Sequence, residues 1–582
     1  MDSPVPPPGF LAASDTGVDR VAGSIGSAAR VACGAVFLAR WGLAPVAEDP
    51  GVLLLSRVVR TRDGAVASVD IASELASRPA ELGRLLPPFA AVRSDATGVT
   101  MVADSMGLRQ LYHSESGGEG EPVMSTSALL AGRAISAGFD ETAVAVQSQL
   151  GWQLGQRTLF SGVQKLAPGV VARLDQGGVS TTTSPEQSLE PISFADAVSR
   201  AAAILRASLE ALLDEHPDAV LQLTGGQDSR LLLSAIPAAR RRGLNAMTLG
   251  IVGDGDVDVA AEIAMQYGVR HEVRGMGRLD EIAPAEAWTL AVDAASRLDG
   301  TADPLALAAL TVAERAFEQG VRISGLGGEV ARGFYYVGTV RDRTYGRKDA
   351  EQLAAWRMFA NESVEPDALV VEFGEWARNA ANASVLDALT AGGTDWFRAT
   401  DELYLRHRMQ RWAGVTDTAV AYQRIVINPM LDESFLMLAA RLAPQEKAHS
   451  RFLASLQMEL DPELGEMRLE GRPAPIAFAE PGPLSSARRS ISTARRVARK
   501  VAQRMRRGNR APAGGVALAM KVTEHWREHP EILENSALTR FIREPWVDDV
   551  LSRRLEPRPS SVAFITNLVV ASQPSPTTGS AM

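Results

Sequence analysis

The sequence predicts a two-domain protein of the mixed α/β and α+β class. Its N-terminal region alternates short β-forming runs with Gly, Asp and Ser, a βαβαβ pattern begins at Ala219, and a largely helical stretch follows Ala350. The chain has 582 residues, whereas one domain usually holds about 100 to 200. We therefore expect at least two hydrophobic cores, with a helical extension at the C-terminal end.

Residues 1–185 are expected to form a mostly antiparallel, sheet-rich domain. The longest apolar run, Val31 to Leu38, is too short to cross a bilayer and predicts one buried strand. A Ser-, Thr- and Pro-rich segment without periodicity, residues 181–191, indicates the end of this domain. Further strands are predicted at Val52 to Val59, Phe89 to Val92, Val99 to Val102 and Gln110 to His113.

Residues 190–475 are expected to form the second domain, which opens with a long helix over Ile192 to Leu213. The alternating pattern that follows predicts a parallel sheet covered by helices, and ligands bind such sheets at the carboxyl ends of their strands. We therefore expect a site just after Leu223. The predicted elements are strand Ala219 to Leu223, helix Ser229 to Arg242, strand Ala246 to Ile251, helix Asp256 to Tyr267 and strand His271 to Val273.

Two segments complete the chain. Residues 476–515 contain a stretch, 485–510, that is rich in Lys and Arg, free of acidic residues and apolar at helical spacing. It predicts a basic surface helix or linker. Contact with a partner or with a membrane surface is the first alternative, and contact with nucleic acid is a further one. Residues 516–582 are expected to be a helical extension with a disordered tail.

Composition narrows the class of function. The formal net charge is −9, so no DNA binding is expected, because nucleic-acid binders are usually basic. The acidic, proline-rich first residues lack the features of a secretory signal, which predicts a cytoplasmic protein. A single cysteine, Cys33, excludes a thiolate zinc cluster, and no two of the seven histidines form an HExxH-type pair. No structural metal is expected.

The most informative motif lies between a predicted strand and a predicted helix. Adjacent glycines let the backbone approach a ligand, and free N–H groups at the start of a helix attract phosphate oxygens. The hydroxyls can donate hydrogen bonds, and the carboxylate can hold Mg²⁺. The motif is Thr224-Gly225-Gly226-Gln227-Asp228-Ser229. A tight turn with a helix cap is the simpler alternative.

This motif resembles the SGGxDS pyrophosphate-binding loop of the N-type ATP pyrophosphatases, with Thr224 in place of the first serine. A second segment, Val321 to Glu329, resembles the SGEGxDE segment of asparagine synthetases. The resemblance implies ATP and Mg²⁺ as cofactors, with Asp228 and Glu329 on the metal and, with Ser229, in the catalytic site. Leu326 stands where the family has a glutamate near the acyl-adenylate, which leaves the acceptor substrate open.

The same resemblance implies backbone contacts to adenine and ribose at Leu223, Leu249 to Gly250 and Ser324 to Gly325. Asp256 matches an acidic residue that opens the next helix in the family, although it could equally cap that helix. The family also has a lysine late in the synthetase domain, after a segment that Ile427 to Asp432 resembles. No clear match to that lysine is present. The nearest cations in sequence are Arg468 and Arg472, and Lys447 comes rather early.

The N-terminal region resembles the class II, Ntn-type glutaminase domain of the same family. The matching segments are Asp104 to Tyr112, Ser125 to Leu130 and Arg157 to Gly169. Glutamine hydrolysis in that family needs a cysteine at the mature N-terminus, whereas this sequence begins Met1-Asp2. Cys33 lies in an apolar run that predicts an inert, buried thiol. A degenerate glutaminase domain is therefore expected.

Together these features predict ATP-dependent amide-bond formation through an acyl-adenylate, with release of AMP and pyrophosphate. The expected partners are a carboxylate substrate and an amine or ammonia, and a homodimer is possible. One alternative is a specialised ligase or cyclase of the β-lactam synthetase or lasso-peptide cyclase type. Others are a different ATP pyrophosphatase and a non-catalytic nucleotide-binding scaffold.

Overall fold

Two antiparallel sheets form the N-terminal region. They are seen in a computed structural model that describes residues 6–115, 120–183, 190–250, 253–275, 279–315, 320–359, 362–479 and 514–573. The strands are β1 Gly9–Ala13, β2 Ala29–Cys33, β3 Val36–Trp41, β4 Val52–Leu54, β5 Arg60–Thr61, β6 Gly64–Ala65, β7 Ala90–Asp95, β8 Gly98–Ala103, β9 Tyr112–Ser114, β10 Val123–Ser125, β11 Val163–Lys165, β12 Val170–Asp175 and β13 Gly178–Thr183. One of these two larger sheets has the order β11-β9-β10-β1-β3-β2 and the other β13-β12-β8-β7-β4, while β5 and β6 pair as a separate two-stranded sheet.

The two sheets share a core and carry helices on their outer faces. Successive side chains of a strand point to opposite faces, so Phe10 of β1 enters a core with Val92 of the second sheet, while Leu11 packs with helices on the other side. Ile71 of a further helix covers the outer face of the second sheet. The result is an α-β-β-α arrangement. The helices are α1 Asp15–Ile25, α2 Ser68–Ser77, α3 Ala128–Ala134 and α4 Glu141–Leu150.

The single buried strand predicted over Val31 to Leu38 is wrong. This run forms a hairpin, in which β2 and β3 pair antiparallel across a two-residue turn. Gly34 in that turn has φ 65°, a left-handed conformation that glycine adopts without strain. Because β2 is an edge strand, Val31 is exposed, and Cys33 is buried at its end.

A five-stranded parallel sheet forms the second region. Its strands are β14 Val220–Gln222, β15 Asn245–Leu249, β16 Arg270–Arg274, β17 Val321–Ile323 and β18 Ile425–Ile427. Every neighbouring pair is parallel and the order is β16-β15-β14-β17-β18. The chain extends the sheet in one direction from β14 and then returns to its other side with β17. The carboxyl ends of β14 and β17 are therefore the topological switch point, where ligands bind in sheets of this kind.

Helices flank this sheet as the βαβαβ pattern predicts, with one correction. The predicted helix Ser229 to Arg242 is broken, because Pro237 has no N–H to donate and clashes with a preceding turn; Ile236 closes the first of the two resulting helices. The helices of this part are α5 Phe194–Glu215, α6 Gln227–Ala235, α7 Ala238–Arg241, α8 Gly255–Tyr267, α9 Pro284–Arg297 and α10 Pro304–Glu314.

The remaining described residues are mostly helical. The α-helices are α11 Arg347–Leu353, α12 Val371–Ala391, α13 Trp396–Leu403, α14 Gly414–Val420, α15 Glu433–Arg441, α16 Pro444–Lys447, α17 Arg451–Leu460, α18 Pro462–Glu466, α19 Ile476–Ala479, α20 Gly515–Glu528, α21 Ser536–Thr539, α22 Glu544–Leu551 and α23 Pro559–Ser572. Two π-helical segments are Ala354–Met358 and Tyr404–Ala413.

The C-terminal helices share a hydrophobic core with α9, α10 and α3. Among the residues that the structure describes, no helix combines the length and apolar character needed to span a membrane. The predicted basic helix, residues 485–510, and the last residues, 574–582, lie outside the described residues.

Candidate functional site

Two glycine-rich loops meet at the switch point of the parallel sheet. The first glycine loop, Thr224–Ser229, joins β14 to α6, and the second glycine loop, Ser324–Glu329, follows β17. A Cβ atom placed on Gly325 would lie 2.9 Å from the backbone nitrogen of Ser229 and 3.1 Å from Cβ of Asp228. One on Gly328 would collide with the Asp228 carboxylate. The close approach of the loops therefore requires glycine at both positions.

Hydrogen bonds fix the shape of the first glycine loop. The Thr224 N–H donates to Ser229 Oγ over 3.0 Å, and the Gly226 N–H donates to Thr224 Oγ1 over 3.1 Å. Gly226 is the N-cap residue of α6 and supplies no side-chain cap, so the first N–H groups of the helix keep their partial positive charge for a ligand. In the same turn, the buried Gln227 amide has no hydrogen-bond partner on either its oxygen or its nitrogen.

The two acidic residues predicted on the metal lie together, joined by an arginine. Nη2 of Arg332 donates to Asp228 Oδ2 over 3.1 Å and to Glu329 Oε1 over 3.2 Å. The side chains of Asp228, Glu329 and Arg332 are 17%, 20% and 24% exposed. Asp228 Oδ1 and Glu329 Oε2 are buried and have no hydrogen-bond partner. Two unpartnered carboxylate oxygens from adjacent loops are the donors that Mg²⁺ prefers, so the residues present fit this ion.

Burial and neighbouring charges set the protonation of this cluster. Burial raises the pKa of Asp228 to about 6, with the Arg332 guanidinium opposing the rise and the Glu329 carboxylate adding to it. Burial acts to lower the pKa of Arg332, but the charges of Asp228 and Glu329 outweigh it and raise that pKa. The guanidinium thus holds two carboxylates that would otherwise repel each other.

The residues predicted to contact adenine and ribose lie along the same carboxyl edge of the sheet. The Leu223 carbonyl accepts a 2.6 Å hydrogen bond from Thr248, and the Gly250 N–H donates to the next strand. The Ser324 N–H donates to the Ile427 carbonyl over 3.0 Å. These bonds fix the backbone of β14, β15 and β17 beside the first glycine loop.

Asp256 faces the first glycine loop. The N-cap residue of α8 is Asp254, so the alternative role of Asp256 as that cap is wrong. A Cβ atom on Gly225 would lie 3.0 Å from Asp256 Oδ1. Burial raises the pKa of Asp256, and a hydrogen bond with the Gly225 backbone opposes the rise. From the other side, the Glu470 N–H donates to the Gly225 carbonyl over 3.0 Å.

The three cations nearest in sequence to the expected lysine of the synthetase domain lie in different surroundings. Arg468 is 65% exposed and pairs with Glu262 over 3.1 Å. Arg472 lies close enough for its charge to act against the rise in the Asp228 pKa, and it donates to Ser450 Oγ over 3.3 Å. Lys447 is buried.

Lys447 forms an ion pair with Asp401. Tyr336 donates to the same Asp401 oxygen over 2.8 Å. The turn after Lys447 packs against the turn Gly328–Arg332 that carries Glu329. His449 and Ser450 in that turn have φ 57° and 64°, and backbone strain of this kind collects at functional sites.

Sequence reasoning missed several residues of the site. Arg332 follows Glu329 by three residues, and this spacing on one turn was the available signal. Tyr404 begins a π-helical segment and is close to Glu329, whose charge adds to the effect of burial in raising the Tyr404 pKa. The buried Arg230 donates to the carbonyls of Met467 and Arg468 over 2.6 and 2.7 Å, which anchors the segment that covers the first glycine loop.

Leu326, the departure from the family pattern, is partly buried against the hydrophobic core beside the site.

The N-terminal region has its own fixed loop, in which the buried Asp104 accepts hydrogen bonds from four backbone N–H groups between Phe89 and Arg109. Cys33 is buried as predicted, and burial raises the pKa of its thiol. A high pKa disfavours the reactive thiolate.

Comparisons with known proteins add little to this description. No family model and no curated protein matches the chain. The solved structures similar to it include the allosteric regulatory enzyme of purine biosynthesis, at 10% identity and TM-score 0.20, and glutamine phosphoribosylpyrophosphate amidotransferase from B. subtilis complexed with ADP and GMP, at 11% and 0.18. The matches cover 46% of this chain and 65% and 60% of those two structures. TM-scores this low do not establish a shared fold.

Proposed function

We propose that this chain is an ATP-dependent amide ligase of the asparagine synthase type. An oxygen of a substrate carboxylate bonds to the α-phosphorus of ATP, the bond from that phosphorus to the bridging oxygen breaks, and pyrophosphate leaves. An amine then bonds to the acyl carbon, AMP leaves with the C–O bonding pair, and the amine loses a proton to give the amide. The reaction converts a poor leaving group into a good one.

The observation that carries this proposal is the meeting of two glycine-rich loops at the switch point, with Asp228 and Glu329 facing each other. The uncapped start of α6 and the Gly226 backbone suit pyrophosphate oxygens. When bound, Mg²⁺ would neutralise phosphate charge, held by Asp228 and Glu329. Their unpartnered oxygens are the structural support for this assignment.

The cations around the loops have a consistent role in this proposal. Arg332 bridges the carboxylates of Asp228 and Glu329. Once a metal binds these carboxylates, a phosphate oxygen would give the guanidinium another negatively charged partner. Arg472 is close enough to Asp228 for its charge to oppose the rise in the Asp228 pKa. Positive groups placed in advance stabilise the negative charge that develops on the leaving pyrophosphate.

The acceptor side of the site supports a specialised ligase more than synthesis of asparagine. Leu326 places an apolar side chain where the family pattern has a carboxylate. The aromatic ring of Tyr404, close to Glu329, is tilted by 36° against that of Phe334 with the centroids 4.6 Å apart. We infer a larger acyl substrate with apolar character. The α-β-β-α layers of the N-terminal region suit an Ntn-type domain, and the burial of Cys33 suits an amine that does not come from glutamine hydrolysis.

The test is conversion of ATP to AMP and pyrophosphate by the purified protein. Aspartate with ammonium, aspartate with glutamine, and carboxylate-bearing peptides are the substrates, and Asp228→Ala is the inactive control. We expect equal amounts of AMP and pyrophosphate with at least one carboxylate and none with the variant. ADP and phosphate as products, or turnover that survives Asp228→Ala, would contradict the proposal. Turnover with glutamine but not ammonium would contradict the inactive glutaminase.

A further inference from the structure

Three side chains at the end of α20 are arranged as metal ligands. His525, Glu528 and His529 each place a ring nitrogen or a carboxylate oxygen within 4.8 Å of the others. The rings of His525 and His529 have centroids 4.6 Å apart and planes inclined by 43°. The spacing of three and four residues brings the side chains to one face of the helix end. This cluster is far in sequence from the glycine loops and shares no residue with them.

The buried histidine of this cluster has no hydrogen-bond partner. His525 is 4% exposed, and neither Nδ1 nor Nε2 makes a hydrogen bond. Burying an unsatisfied polar group costs about 1–3 kcal/mol, so such a group calls for an explanation. The ring of Trp288 stacks on His525 with centroids 6.0 Å apart, which holds the imidazole in place against the core. Its nitrogens are therefore fixed and available beside Glu528 and His529.

The charges around the cluster favour a cation. Arg527 lies in the same turn, but its guanidinium pairs with Glu524 and Glu556, on another face of the helix. Glu531 Oε1 lies 3.1 Å from His529 Nδ1. A carboxylate that accepts a hydrogen bond from Nδ1–H orients the ring and leaves Nε2 free for a metal.

We propose that His525, Glu528 and His529 bind one divalent transition-metal ion of the zinc class. Two imidazoles with one carboxylate suit Zn²⁺ and its neighbours, whereas Mg²⁺ and Ca²⁺ select oxygen ligands. His529 is the C-cap residue of α20 and precedes the turn Pro530–Ile532. The ion ties together the last turn of α20, and it stabilises this helix where it packs on α9.

The order of the ligands explains why the sequence did not reveal this site. The segment reads HWREH, in which the two histidines have the spacing of HExxH but the glutamate directly precedes the second histidine instead of following the first. The site is independent of the proposed ligase reaction, so its test and that of the ligase can succeed or fail separately.

The experiment titrates metal-free protein, without a polyhistidine tag, with Zn²⁺ by calorimetry and with Co²⁺ by visible absorption. We expect one ion per chain and a four-coordinate Co²⁺ spectrum that excess Mg²⁺ does not remove. His529→Ala changes an exposed side chain and is expected to weaken Zn²⁺ binding by about 100-fold. His216→Ala, at the end of α5, is the matched control and should bind like the wild type.

A thermal melt gives the second readout. Zn²⁺ is expected to raise the melting temperature of the wild type and of His216→Ala, and to leave that of His529→Ala and Glu528→Gln unchanged. No Zn²⁺ binding by the wild type would overturn the proposal. Binding that survives both His529→Ala and Glu528→Gln would overturn it too, because the ion would then lie elsewhere.

Discussion

Replacing Arg332 with methionine tests the acid pair at the centre of the site. The substitution keeps an unbranched side chain but removes the guanidinium that bonds Asp228 and Glu329 at 3.1 and 3.2 Å. The two carboxylates then face each other without the guanidinium that bonds to both. We expect the folded protein to lose stability at neutral pH and to recover part of it when Mg²⁺ is added.

The size of the effect follows from the burial of the cluster. Breaking a fully buried ion pair costs about 3–5 kcal/mol, whereas exposed pairs contribute about 0–1 kcal/mol. The Asp228, Glu329 and Arg332 side chains are 17–24% exposed, which places Arg332→Met at about 2–3 kcal/mol. Mg²⁺ at about ten times its dissociation constant would restore about 1.4 kcal/mol.

The assay is urea unfolding of wild type and variant at pH 7, with and without Mg²⁺. Arg468→Met is the matched control, because Arg468 is 65% exposed and pairs only on the surface with Glu262; its cost should stay below about 1 kcal/mol. The reasoning is refuted if Arg332→Met costs no more than Arg468→Met, or if Mg²⁺ does not stabilise Arg332→Met.

Three further predictions concern single residues. The pKa of Asp228 is raised to about 6, against about 3.9 in an unfolded chain. The folded protein therefore binds this proton more tightly, so the contribution of Asp228 to stability is present below pH 4 and lost as the pH rises through 6. Unfolding measured from pH 4 to 7 should show a smaller decline in Asp228→Asn. Gly328→Ala should abolish AMP formation because its Cβ would collide with Asp228, whereas Gly320→Ala meets open space and should leave activity unchanged; equal activity in the two variants would contradict the close approach of the loops. The buried Cys33 thiol should react with a disulfide reagent many times faster in denaturant than in the native protein, and equal rates would show that it is accessible.

The strand and helix patterns that dominate the fold could be predicted from the sequence because they are local. The βαβαβ run repeats apolar strands and amphipathic helices at regular lengths, and the structure contains each strand that it predicts. The fifth parallel strand, Ile425–Ile427, was not predicted. A segment of three residues between helices is too short to show a periodic pattern of apolar residues. It is a strand because it pairs with Val321–Ile323.

The candidate site was predictable only in part, for a similar reason. The glycine loops are contiguous motifs, so the sequence predicts them and the sheet topology brings them together. The bridge made by Arg332 depends on how the turn after Glu329 folds. The pair of Lys447 and Asp401 joins residues far apart in the chain, and nothing in either segment indicates the other. The lack of hydrogen-bond partners on the ring nitrogens of His525 can be recognised only once the burial of this residue is known.

The most direct test of the account is the binding of Mg²⁺-pyrophosphate, because it requires no knowledge of the acyl substrate. Calorimetry should show one site per chain in the wild type and at least a tenfold loss of affinity, about 1.4 kcal/mol, in both Asp228→Asn and Glu329→Gln. Glu262→Gln, on the nearby surface, should bind like the wild type. Absence of binding in the wild type, or binding unchanged in Asp228→Asn and Glu329→Gln, would contradict a pyrophosphate site at the two glycine loops.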